Sequence, residues 1–220
     1  MSEKINIVLM TAPRSGSTWF LNQIAKEHPG MINHMESLRT ISHGFAMVPR
    51  SDKERKAQFR QVLRDWQNPD MSNCLKIFPL MLTEPRSPWR KKNFIYDLLD
   101  DTTKIFYLRR KDFPAQVKSA VIAFHKTMRN DLNFHGSWDE PLFMPDNEQI
   151  RKLVRTCERQ MYAQNYQLLT MWNTIPTDVP TELLWLEDLD QSGKYNRPIK
   201  WENEPSIESV DWEGQYQEKL

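Results

Sequence analysis

The first apolar run, Ile5-Asn6-Ile7-Val8-Leu9-Met10, is followed at once by a polar turn. A short run of this kind, bounded by turn residues, predicts a strand buried on both faces over 5–10. A helix is predicted from Ser17 to about Lys26, stopped by His28-Pro29-Gly30. Residues 31–50, with Pro49 and scattered polar positions, read as irregular chain. Phe59, Val62, Leu63 and Trp66 then fall at i, i+3, i+4 and i+7, which predicts a helix over 53–66. Asn73 to Phe78 forms a short second strand, 84–92 a Pro-rich basic loop, and 94–99 a short helix. Lys104 to Leu108 is another continuous apolar strand. Asp112 caps the next helix, with Pro114 in its first turn, running to about His125. A long polar segment over 126–147 follows. The stripe Ile150, Leu153, Val154, Cys157, Met161, Leu168, Met171 and Trp172 then predicts a helix over 148–172. A last strand is expected over 182–186, and the chain after Asp190 is polar and without clear period.

Strands alternating with helices imply an α/β protein, a P-loop-like three-layer α/β/α fold around a central, mainly parallel sheet. Residues 1–220 read as a single domain, with 190–220 packing on it or closing over it. Right-handed crossovers place the turn after the first strand at the carboxyl edge of the sheet, where such folds bind ligands.

Composition narrows the picture. The net charge of +1 argues against bulk electrostatic capture of nucleic acid. The only cysteines, Cys74 and Cys157, sit in apolar or helical contexts and read as two reduced thiols without metal-ligand spacing. No apolar run approaches the length of a membrane span, so stable membrane insertion is not expected and a cytoplasmic protein is.

The chemistry concentrates in the first turn. Ala12-Pro13-Arg14-Ser15-Gly16-Ser17-Thr18-Trp19 joins a strand to a helix start, where unsatisfied N–H groups and the helix dipole favour an anion. Gly16 lets the backbone curl close to a ligand, Ser15, Ser17 and Thr18 add hydroxyls, and Arg14 adds a fixed charge with several donors. The expected ligand is a phosphate or sulfate. A Walker A loop would carry Lys before its Ser/Thr, and here Ser17 precedes Thr18.

The same residues resemble the 5′-phosphosulfate loop of sulfotransferases that use 3′-phosphoadenosine 5′-phosphosulfate (PAPS). In that family a Lys or Arg at the Arg14 position contacts the sulfate and the leaving oxygen. A second segment, Leu108-Arg109-Arg110-Lys111-Asp112-Phe113-Pro114-Ala115-Gln116-Val117-Lys118-Ser119, resembles the family's 3′-phosphate site, where an Arg leaving a strand and a Ser in the next helix clamp the phosphate. Its form is closest to the bacterial trehalose-type enzymes. The resemblance assigns these roles to Arg110 and Ser119, with Lys111 or Arg109 as alternatives to Arg110. Leu75-Lys76-Ile77-Phe78 resembles the family's second strand, whose Lys can reach the transferred sulfate. Trp185-Leu186-Glu187-Asp188-Leu189 resembles its late strand and Glu-Asp-Leu turn, whose two carboxylates suit helix capping or orienting a basic group.

One departure matters. Eukaryotic cytosolic members carry a His base two residues after the Lys matching Lys76, and this chain has Phe78 there. Glu36 sits about where trehalose-type enzymes place their Glu base, and His34 and His43 in the same segment are rivals. Arg86, Arg90, Lys91 and Lys92, and later Lys194, Arg197 and Lys200, are further basic candidates around a polyanionic donor. Phe134, Trp138 and Phe143 are candidates for an acceptor wall.

The expectation is a PAPS-dependent sulfotransferase that uses Arg14, Glu36 and Lys76 in catalysis. Pro13 to Trp19, Arg110 and Ser119 would hold PAPS and its product 3′,5′-ADP, with no metal. The acceptor would be a small molecule, glycan or lipid, and a homodimer is compatible with this reading. The alternatives are a P-loop-type nucleotide kinase and a non-catalytic 3′,5′-ADP-binding module.

Overall fold

The computed structural model describes residues 4–34, 52–79, 95–128, 147–173 and 175–191. The elements in chain order are β1 (Asn6–Thr11), α1 (Ser17–Glu27), β2 (Ile32–Asn33), α2 (Asp52–Gln67) and β3 (Asn73–Ile77). A 3-10 turn (Tyr96–Leu98) precedes β4 (Thr103–Arg109), and α3 (Phe113–Met128), α4 (Asn147–Trp172), β5 (Thr181–Trp185) and α5 (Leu186–Leu189) complete the set.

The five strands form one sheet in the order β2-β3-β1-β4-β5, and every pairing is parallel. β1 is central, with Ile7 opposite Cys74 of β3 on one side and Lys104 of β4 on the other. All six of its residues are buried, as the unbroken apolar run requires of a strand covered on both faces. The period-2 alternation then sorts the layers. Val8, Met10, Leu75, Ile77, Ile105 and Tyr107 face α2 and α4, packing on Val62, Trp66 and Leu168. Ile7, Leu9, Cys74 and Leu108 face the opposite layer, packing on Leu21 and Ile24 of α1 and Leu186 of α5. α3 lies on α4 through Val117, Ala120 and Val121 against Val154, Cys157 and Met161. The result is a three-layer α/β/α architecture around a parallel sheet.

Three boundaries differ from the sequence reading. β2 was expected to be irregular chain. It adds a two-residue edge strand, Ile32 and Asn33 beside Asn73 and Cys74, too short to show a period. β5 ends at Trp185, and Leu186 begins α5 instead of closing the strand. α3 continues past His125 to Met128. Asp112 does cap α3, its Oδ1 accepting the Ala115 N–H at 2.8 Å.

Both cysteines are free and buried, and burial pushes each thiol up to about 12. No helix among the described residues is long and apolar enough to cross a membrane.

Candidate anion site at the carboxyl edge of the sheet

The turn from β1 into α1 lies at the carboxyl end of the central strand, between β3 and β4. Two of its residues are left-handed: Gly16, at φ 75°, and Arg14, at φ 66°. Gly16 is required twice over. Besides its φ, a Cβ there would sit 2.5 Å from a methyl of Leu186. Arg14 has no such licence, and a left-handed non-glycine residue costs about 1–2 kcal/mol. It is held there by its surroundings, as strained residues at ligand sites commonly are.

Gly16 occupies the N-cap of α1, where no side chain caps the exposed amides and no acidic residue stands in the first turn. The positive end of the helix therefore favours an anion. Lys76 adds to it. Being in phase with Cys74, it lies on the α1 side of β3, and its Nζ donates to Thr18 Oγ1 at 2.9 Å. Only 2% of Lys76 is exposed. A buried ammonium directed at a helix N-terminus adds positive charge where the helix already favours an anion. Phe78, at the position of the family's base, lies with its ring centroid 5.2 Å from that ammonium and packs against the core.

The two motifs meet in space. Arg14 Nε donates to Ser119 Oγ at 3.0 Å, although the residues are 105 apart in sequence. Ser119 lies about two turns into α3, which brings it back beside the loop. Its oxygen accepts from Arg14 while its own O–H can still donate to a ligand.

Arg110 follows β4 directly and is turned to the α1–α5 side, where Nε is 3.6 Å from Glu187 Oε1. Glu187 also accepts the backbone N–H groups of Lys111 (2.8 Å) and Asp112 (3.1 Å), while Asp188 pairs with Lys111 Nζ. The Glu-Asp pair thus orients a basic group and holds the turn into α3. Arg109 goes to the opposite face, its guanidinium 4.9 Å from the centroid of the Trp185 ring. Burial lowers the Arg109 pKa, and its Nε lacks a hydrogen-bond partner among the described residues, as does the Tyr107 hydroxyl on the same face.

Sequence reasoning assigned no role to the residue behind the loop. Gln116 of α3 is fully buried. Its Nε2 donates to Pro13 O at 2.7 Å and to Ser15 Oγ at 3.1 Å, and its Oε1 accepts from Asn165 Nδ2 at 3.0 Å. The Ser15 hydroxyl, read in the sequence as a ligand donor, is buried against this amide.

No protein-family model matches the chain, and no curated protein does. Among solved structures it is similar to a gluconokinase from Sinorhizobium meliloti 1021, at 12% identity and a TM-score of 0.44 over 84% of this chain and 85% of that one. It is also similar to an unliganded sugar kinase from Janibacter sp. HTCC2649, at 15% identity and a TM-score of 0.40 over 84% and 86% of the two chains. At these values the likeness carries no functional argument.

The proposed bases fare differently. His34 Nε2 lies 3.0 Å from Asn73 Oδ1, at the residue that starts β3. That is the amino end of the sheet, about 13 Å along the strand from the edge that carries the loop. Glu36 and His43 lie outside the described residues, as do Phe134, Trp138 and Phe143, the basic positions 86–92 and those from 194 onward. Among the described residues no group of three His, Cys, Asp or Glu is placed to hold a metal ion.

Proposed function

We propose that the chain transfers a sulfuryl group from PAPS to an acceptor hydroxyl or amine. The observation that carries this reading is the hydrogen bond from Arg14 to Ser119. It joins two segments that resemble the two ends of one donor site. In this scheme the amides of residues 15–18 hold the 5′-phosphate, while Arg14 and Lys76 stabilise the charge that develops on the bridging oxygen. Arg110 and the Ser119 O–H hold the 3′-phosphate. The acceptor oxygen or nitrogen attacks sulfur in line, the bond from sulfur to the 5′-phosphate oxygen breaks, and 3′,5′-ADP leaves. Glu36 takes the acceptor's proton.

One observation favours the competing reading, phosphoryl transfer from a nucleoside triphosphate, an activity of the kind named for the two structural neighbours. Lys76 brings to Thr18 the lysine that the loop itself lacks, and a phosphate chain would use it as readily as a sulfate.

Calorimetry with 3′,5′-ADP against ATP–Mg²⁺, followed by transfer from labelled PAPS across acceptor pools, separates the readings. Micromolar binding of 3′,5′-ADP with label transfer supports sulfuryl transfer, and loss of transfer in Glu36→Ala assigns the base. Preference for ATP–Mg²⁺ overturns the proposal in favour of a kinase. Binding of 3′,5′-ADP without transfer leaves a non-catalytic module.

A further inference from the structure

Gln116 and Ser119 lie three residues apart, on one face of α3, and together hold three consecutive loop residues. Ser119 takes the Arg14 side chain, while Gln116 takes the Pro13 carbonyl and the Ser15 hydroxyl. Both amide protons of Gln116 are used, and its oxygen is occupied by Asn165, whose Nδ2 also donates to Met161 O at 2.9 Å. The amide therefore has one orientation: turning it over would set its oxygen against Pro13 O and its NH₂ against the Asn165 NH₂. α4 braces α3, and α3 braces the loop, through a chain of amides that has no contact with solvent at Gln116.

We propose that Gln116 is a positioning residue for the anion loop, braced by Asn165, and that it sets the loop's affinity for the phosphate at the nucleotide's 5′ end. Arg14 is held left-handed between the two residues that Gln116 fixes. Releasing Pro13 O and Ser15 Oγ removes that hold, and the amides after Ser15 lose their common direction. This deepens the sulfuryl-transfer reading and rests on it for the choice of nucleotide, but not for the existence of the loop.

The test compares 3′,5′-ADP with 3′-AMP, which lacks the 5′-phosphate, on the wild-type chain and on Gln116→Met. Asn165→Leu serves as the milder variant where Gln116→Met folds poorly, and a melting curve accompanies each. Removing two buried hydrogen bonds from the loop should weaken 3′,5′-ADP about tenfold to a hundredfold. Binding of 3′-AMP should stay within about twofold, so that the preference for the doubly phosphorylated nucleotide collapses. Asn165→Leu should show the same pattern at a few-fold. Equal weakening of both nucleotides, or none, overturns the proposal, because a merely structural residue would not distinguish them. If the wild-type chain binds ATP–Mg²⁺ and not 3′,5′-ADP, the sulfuryl-transfer reading fails. In that case the positioning role stands if Gln116→Met weakens ATP and spares adenosine, and falls if it does not. If the wild-type chain binds none of these nucleotides, both fail.

Discussion

At the amino end of the sheet the buried polar side chains satisfy one another. At the carboxyl end Gln116 braces the anion loop from behind. Asn6 and Asn73, opposite each other at the starts of β1 and β3, share a hydrogen bond of 3.0 Å. Asn6 goes on to Trp66 O, Asp100 and Thr102, and Asn73 to Asp65 O, Met71 O and His34. Thr103 closes the ring through Asp100 and Leu98 O. The carboxyl end instead gathers Arg14, Lys76, Arg110 and the uncapped head of α1. Gln116 supports the loop from behind, and nothing acidic stands in the first turn of α1. A closed polar network stabilises the fold. A loop that is fixed from behind beside a helix N-terminus is suited to an anion.

The two ends should therefore respond oppositely to substitution. Arg14→Ala should lower turnover with labelled PAPS by about 10²–10³-fold, by analogy with removing an oxyanion donor, and leave the melting temperature nearly unchanged. A large fall in melting temperature with full turnover would reverse the comparison. Gly16→Ala strikes both properties, because it forces a Cβ into left-handed backbone and against Leu186. Roughly 2–4 kcal/mol of stability should be lost in chemical denaturation. Adding Leu186→Ala should relieve the steric part and leave the backbone part. Asn73→Ala should cost roughly 2–3 kcal/mol by leaving Asn6 and backbone carbonyls without a donor, while 3′,5′-ADP binding stays as in the wild type. A nucleotide defect there would mean that the two ends are coupled through the sheet.

The smallest effect is in acid. Burial raises the Asp100 pKa, but hydrogen bonds from Thr102 and Thr103 and the charge of Lys4 outweigh it, and the net shift is downward. A depressed carboxylate contributes stability above its unfolded pKa of about 3.9 and loses it as pH falls through the folded value. Stability should thus decline slightly below about pH 4, and Asp100→Asn should flatten that limb of the curve. Because Asp100 is exposed, screening keeps the effect small.

Much of this arrangement was legible in the chain. β1, the loop, the Asp112 cap and the long α4 stripe announce themselves through local pattern. Gln116 and Asn165 do not, because their meaning lies in partners 103, 101 and 49 residues away. One trace was present: the apolar stripe of α4 breaks between Met161 and Leu168, where buried Gln164 and half-buried Asn165 take the inward positions. A polar interruption on the core side of a long helix marks a buried network. The position of His34 was not legible at all. It depends on β2, two residues long, which carries the chain beside β3 and sets the imidazole against Asn73.

The central place of β1 also bears on how the molecule is made. Its partners are Asn73–Ile77 and Thr103–Arg109, and the brace behind its loop is completed only by Asn165. At about 5–20 residues per second on the ribosome, the first strand waits roughly 10–30 s before the last of these residues is synthesised. A nascent chain that has reached α3 but not α4 can pair β1 with β3 and β4, yet it lacks β5 and the support behind the loop. Completion of the support behind the loop is thus a late event in the synthesis of this chain.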